Sequence, residues 1–200
     1  MPKIVVTNDY TVNPVEGLIT PARLSLSPNR DDRPSELELE AIILHGISLP
    51  PGEFGGRQIE DLFLNRLDWD AHPYFRQIRG MEVSAHLLIR RDGELVQFVP
   101  FTERAWHAGD SHFRGRTRCN DFSIGIELEG EDETAYDDRQ YAVLPKVLQA
   151  LCSAYPNLSP RELAGHCDVA PGRKSDPGPA FDWLRLYDAL GEQLENESCI

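Results

Sequence analysis

Blocks of apolar and polar positions alternate along this chain, and the period within each block predicts an element. The run AIILHGI at 41–47 is short, continuous and rich in β-branched residues, which predicts a buried strand with His45 near its end. Past the turn residues Pro50, Pro51 and Gly52, apolar Ile59, Leu62, Phe63 and Leu67 recur at helical spacing and predict an amphipathic helix. Residues 83–89 and 94–99 favour strands and flank Asp92-Gly93, a strong hairpin signal. Residues 122–128 predict a further strand containing Gly125. Tyr141, Leu144, Leu148, Leu151, Cys152 and Tyr155 then share one helical face, with Asp137 or Asp138 placed to cap it. Pro145 falls inside that face, where the missing N–H and the ring predict a kink or an interruption. Ser159-Pro160-Arg161-Glu162 reads as a capping box opening a short helix that Gly165 stops. Phe181, Leu184, Tyr187, Leu190 and Leu194 describe a last amphipathic helix beginning near Pro179.

Strands and helices are therefore interleaved, and the hairpin adds an antiparallel pair. The expected fold is mixed α/β, a central mixed sheet with helices packed on its faces. The 200 residues suit one domain. Charged residues and Pro34 between 30 and 40 mark residues 1–35 as a partly irregular lead-in to a core at 36–195.

Composition narrows the partners. The chain carries 20 Lys+Arg against 33 Asp+Glu, a formal charge of −13, which disfavours nucleic acid and anionic membranes. An anionic substrate then needs a local positive site. Residues 1–9 hold only the apolar run Ile4, Val5 and Val6, far short of the roughly 7–15 residues of an export signal. No apolar run approaches the ~20 residues that span a bilayer. Cys119, Cys152, Cys167 and Cys199 lack metal or redox spacing and read as reduced thiols. A soluble, monomeric, cytoplasmic protein is expected.

The chemistry concentrates at strand ends. His45 stands where a strand gives way to a loop, and His166 follows Gly165 at the head of a long loop. Asp176 lies beyond the stiff stretch PGRKS at 171–175. Two imidazoles and a carboxylate make a catalytic zinc set with the fourth position open to water. The same residues also fit two histidines satisfied near a core and an aspartate capping a Pro-Gly-Pro turn, because no local H-E-x-x-H motif is present. Glu127 alternates with Ile126 and Leu128, as a solvent-facing strand residue does. His86, inside an apolar strand, reads as structural or as a partner behind a ligand, and Cys167 as a core thiol pointing away from His166.

Six strings change that balance: HGISLPPG at 45–52, VSAH at 83–86, RAWHAG at 104–109, CNDFSIGIELEG at 119–130, GHCDVAP at 165–171 and RKSDPGPAFDW at 173–183. In order and over roughly residues 20–190, they resemble the type-2 N-acetylmuramoyl-L-alanine amidases of the peptidoglycan-recognition superfamily. Within it they are most similar to the cytoplasmic enzymes acting on 1,6-anhydro-muropeptides. The resemblance implies zinc on His45, His166 and Asp176, Glu127 as acid/base and Lys174 as an electrophilic helper. It also implies that Arg118 holds a stem-peptide carboxylate, that Ala105 offers backbone contacts and that Trp106 and His107 line the groove. Arg118 equally suits an ordinary surface residue. Two positions depart from the family: Gly46 stands where asparagine is common, and Glu82 where some relatives carry arginine. The activity implied is hydrolysis of the amide between the lactyl group of muramic acid and L-alanine, in cytosolic peptidoglycan recycling. The competing class is a binding module that keeps the fold without catalysis, and the retained ligand set with Glu127 and Lys174 argues against it.

Overall fold

The computed structural model describes residues 9–34 and 38–191. The apolar run at Ile4, Val5 and Val6, the helical position Leu194 and Cys199 lie outside the described residues. In chain order the strands and helices are β1 (Thr11–Asn13), β2 (Leu18–Thr20), β3 (Arg23–Leu24), β4 (Arg30–Asp32), β5 (Ala41–Ile47), α1 (Gln58–Phe63) and α2 (Pro73–Gln77). They continue with β6 (Leu87–Ile89), β7 (Leu95–Gln97), β8 (Glu103–Ala105), β9 (His112–Phe113), β10 (Arg116–Thr117) and β11 (Ser123–Glu129). The chain then forms α3 (Asp138–Ala154), β12 (Leu163–Gly165), α4 (His166–Val169) and α5 (Trp183–Leu190).

The centre is a six-stranded mixed sheet in the order β12-β5-β11-β6-β7-β3. β12, β5, β11 and β6 run parallel, while the β6–β7 hairpin is antiparallel, with Gly93 at φ 87° in its turn. Period-two alternation sends Ile42, Leu44, Ile124, Ile126 and Leu128 to one face, against Leu144, Leu148 and Leu151 of α3 and Leu186 of α5. On the other face, Leu88, Val96 and Phe98 pack under α1 with Ile59, Leu62 and Phe63, while Ala41 and Ile43 meet Cys119 and Phe122. The strip between those two clusters holds polar side chains.

The α3 boundaries follow from its cap. Asp137 accepts the Arg139 N–H and Gln140 returns a bond to the Asp137 N–H, closing a capping box. The helix runs on through Pro145 without interruption. The bond lost there is outweighed by fully buried neighbours such as Leu144 and Leu151.

Other expectations are corrected. Pro160–Glu162 is a single 3-10 turn, and Ser159 makes no side-chain cap. The next three residues become β12, because a helix stopped so soon at Gly165 cannot repay nucleation while pairing with β5 buries Leu163. Residues 11–32 hold four short strands, and β3 forms an edge of the main sheet, so this lead-in is more ordered than its composition suggests. β6 begins only at Leu87; before it, the Ser84 N–H donates to the Trp106 carbonyl and the His86 N–H to the Gly125 carbonyl, while the Ser84 hydroxyl donates to the Asn29 carbonyl and accepts the Trp106 N–H. α1 ends before Leu67, where Asn65 takes a left-handed turn at φ 57°. α2 was not legible as a periodic pattern, although His72 caps it and Pro73 opens it.

The phase of α5 also differs. Leu184 is 65% exposed, whereas Leu186 is completely buried. The helix starts at Trp183 under the Asp182 cap, which turns Leu184 outward. Leu186→Ala is therefore expected to cost about 2–5 kcal/mol and Leu184→Ala less than about 0.5 kcal/mol in urea unfolding.

Candidate metal centre

Parallel pairing sets Glu127 of β11 directly beside His45 of β5. Ser123, Gly125 and Glu127 alternate onto the same face of β11, the face opposite α3. β12, on the other flank of β5, ends at Gly165 and hands the chain to His166, the first residue of α4. Asp168 fixes that junction by accepting the Gly165 N–H at 2.6 Å. The loop then brings Asp176 back, and its carbonyl accepts the Cys167 N–H. Arg173 clamps this loop to its neighbour by donating to the carbonyls of Ala108 and Asp110.

The result is a tight triangle of donor atoms. His45 Nδ1 and His166 Nδ1 are 3.0 Å apart, and Asp176 Oδ2 is 3.3 Å from the first and 3.1 Å from the second. A tetrahedral zinc with bonds of about 2.0–2.1 Å holds its ligands about 3.3 Å apart. His166 Nε2 faces the Ala108 carbonyl at 3.3 Å, an acceptor only, so the proton sits on Nε2 and Nδ1 presents a lone pair. Burial holds His45 down to about 4, against the raising effect of the neighbouring Asp176 carboxylate, so its imidazole is neutral near pH 7. Burial alone would raise the Asp176 carboxyl, but the His166 and His45 rings beside it outweigh burial and hold it below the usual carboxylate range. Lone pairs and one negative charge converging this closely fit a divalent cation.

Glu127 faces the same space. It is 8% exposed, and its Oε2 has no hydrogen-bond partner among the described residues. Burial and then the Asp176 charge raise its pKa well above the usual carboxylate range, while Lys174 pulls the other way. The polar alternation of β11 is thus real, but its destination is the floor of a cleft rather than solvent.

That cleft has a volume of about 600 Å³. Leu49, Leu62, Ile78, Met81 and Trp106 supply an apolar wall, Glu131, Asp132 and Glu133 an acidic rim, and Lys174 a cation on its edge. Trp106 is half-buried and lines it. His107 lies at its base with both ring nitrogens turned to protein, towards His45 and Ser123. Ala105 is fully buried in β8, paired with Arg30, and is not among the lining residues. Arg118 is also outside the lining; it is exposed, left-handed at φ 63°, and ion-paired with Asp121 at 3.2 Å.

His86 is structural, as its position implied: Nδ1 accepts the Gly125 N–H at 3.0 Å, and burial holds its pKa far down. Cys167 differs from expectation. It sits in the turn of α4 rather than on a strand, and its thiol is half-exposed beside Asp168. Glu82 is exposed. The strand pattern did not single out Tyr136, which donates to the Pro177 carbonyl at 2.9 Å, next to Asp176. Its hydroxyl occupies the space a Cβ at Gly46 would need.

Comparison with known proteins agrees with this geometry. A family model described as N-acetylmuramoyl-L-alanine amidase matches residues 36–179. The 1,6-anhydro-N-acetylmuramyl-L-alanine amidase AmpD of Escherichia coli (strain K12) is 56% identical over 171 residues, covering 86% of this chain and 93% of that protein. The crystal structure of a selenomethionine AmpD derivative superposes with a TM-score of 0.86 at 53% identity, over 90% of this chain and 98% of that one. The amidase AmiD from E. coli, in complex with the substrate anhydro-N-acetylmuramic acid-L-Ala-D-γ-Glu-L-Lys, is similar at 29% identity and a TM-score of 0.55, over 77% of this chain and 58% of that one. Since the matched span contains the whole donor triangle together with Glu127 and Lys174, this chain belongs to the N-acetylmuramoyl-L-alanine amidase family.

Proposed function

We propose that this chain is a zinc amidase that hydrolyses the bond between the lactyl group of 1,6-anhydro-N-acetylmuramic acid and the L-alanine of a stem peptide, in cytosolic peptidoglycan recycling. The observation that carries the reading is the pairing of the His45–His166–Asp176 triangle with a buried, unpartnered Glu127 oxygen on the same cleft floor. The AmpD relatives, named for that activity, support the substrate. Free thiols at Cys119, Cys152 and Cys167 suit a reducing compartment. One chain supplies every group, so a monomer suffices.

His45, His166 and Asp176 would hold the zinc ion, which when bound would supply an acidified water at neutral pH and a Lewis acid for the scissile carbonyl. Glu127 Oε2 takes a proton from the attacking water and returns one to the alanine nitrogen, which is a poor leaving group until protonated. Its raised pKa suits both halves of that task. Lys174 places positive charge where the carbonyl oxygen becomes anionic, and a charge already in position needs no reorganisation. Arg118 takes the stem-peptide carboxylate by swinging from Asp121, while Trp106 offers a flat apolar surface to the bound substrate. With Gly46 in place of asparagine, no side chain from that position reaches the peptide.

Incubation with anhydro-muramyl tripeptide, followed by mass spectrometry, is expected to release free tripeptide with zinc and none after chelation. Binding without cleavage in the zinc-loaded protein would leave a recognition module instead. Lys174→Met is expected to lower turnover by at least about tenfold with zinc affinity little changed, measured by kinetics beside chelator competition.

Glu127→Gln is expected to lower turnover by about 100-fold or more while zinc still binds. The same variant carries a stability signature. A carboxyl whose pKa rises on folding holds its proton more tightly in the folded chain, so metal-free stability falls as pH climbs above the unfolded value of 4.5. Glutamine removes that fall, so the metal-free variant is expected to melt above the wild type at pH 7. The two curves should converge below about pH 4.

A further inference from the structure

A metal-binding imidazole must present a lone pair, and a neutral histidine has two tautomers of which only one frees Nδ1. For His166 the choice is made by the Ala108 carbonyl. Among the described residues no carbonyl bonds the His45 ring; its Nε2 lies 3.0 Å from another imidazole nitrogen, His107 Nδ1. Taken alone, that contact is ambiguous, since either ring can donate.

The next two links remove the ambiguity. Ser123 Oγ is 2.6 Å from the Cys119 carbonyl, which can only accept, so the hydroxyl proton points there. The Oγ lone pairs then face His107 Nε2 at 3.3 Å, which places the His107 proton on Nε2 and leaves His107 Nδ1 bare. A bare His107 Nδ1 requires the proton on His45 Nε2, and His45 Nδ1 is left to point at His166 and Asp176. The chain ends on a peptide carbonyl, which cannot reverse its polarity.

The fold makes room for this arrangement at one position. A Cβ on Gly125, midway along β11, would stand 2.5 Å from His107 Cγ, so only glycine lets the ring lie across the strand between His45 and Ser123. The His107 and His45 rings meet edge to face with centroids 5.1 Å apart. Ser123 and Glu127 come from the same face of the same strand, so one element positions a catalytic carboxylate and anchors a ligand's hydrogen-bond chain.

We infer that His107 is a positioning residue which, backed by Ser123, holds His45 in its Nε2–H form and so delivers Nδ1 to the metal. The inference rests on the zinc reading above and adds to it a residue that touches neither metal nor substrate. It gives His107 a role distinct from groove lining.

Zinc affinity by chelator competition on the full chain, without substrate, tests it. His107→Leu removes the acceptor and is expected to weaken zinc binding about 10–100-fold, while His107→Asn, whose Oδ1 replaces Nδ1, stays within about threefold of the wild type. Ser123→Ala, which keeps the ring and loses only its anchor, is expected to fall between them, and decides the matter if the leucine variant does not fold. In the metal-free wild type, ¹⁵N shifts should report His45 as a single Nε2–H tautomer, and His107→Leu should report a mixture. Unchanged affinity in both His107→Leu and Ser123→Ala, equal losses in His107→Leu and His107→Asn, or an Nδ1–H His45 in the wild type would each overturn the inference. Tight zinc binding by a wild type that cleaves no anhydro-muropeptide would overturn the activity and leave the inference standing; a wild type that binds no zinc would overturn both.

Discussion

The register between β5 and β11 is the constraint on which the site depends. In a parallel ladder each residue has a fixed neighbour, and here the neighbour of His45 is Glu127. A slip of one residue would turn Glu127 into the apolar core and Ile126 or Leu128 onto the cleft floor. The register is held by the apolar half of the same strands: Ile42, Leu44, Ile124, Ile126 and Leu128 are all fully buried against α3 and its neighbours. Packing on one face thereby sets the chemistry on the other.

Much of this was readable as pattern. The strand at 41–47, the Asp92-Gly93 hairpin and the long helix after Asp137 each combine a clear period with a clear boundary signal, and each occurs where expected. Most of the failures are short elements. β12 has three residues and α5 has eight, too few for periodicity to beat a neighbour's demand for pairing or a cap's control of phase. The site was only half legible. His45 and His166 lie 121 positions apart, and no spacing rule joins them; the sheet order does, with family resemblance standing in for it at the level of sequence. Glu127 shows the opposite limit. Its alternation was plain, but a strand face covered by loops carries the same polar pattern as one covered by water.

Burial gives the centre its properties and makes it costly. His45, His86 and His107 are almost wholly removed from solvent, which holds all three neutral, while Glu127 is kept from ionising easily. Every such group needs a partner, and most have one: Gly125 N–H for His86, Ser123 for His107, Ala108 for His166. Glu127 Oε2 has no partner among the described residues, and an unmet buried carboxyl oxygen costs folding stability. Its persistence beside the donor triangle is what separates this floor from an ordinary polar core.

The sheet order has a consequence for assembly. β12, β5 and β11 are adjacent in space although long stretches of chain separate them in sequence, and the donor atoms exist as a set only once these three lie side by side. Closing such large loops early is entropically slow, so an ion arriving during synthesis on the ribosome finds scattered side chains of low affinity rather than a chelate. On the zinc reading, a site built from these donors is complete only after the chain has passed Asp176 and the three strands have paired, which places ion capture late in folding.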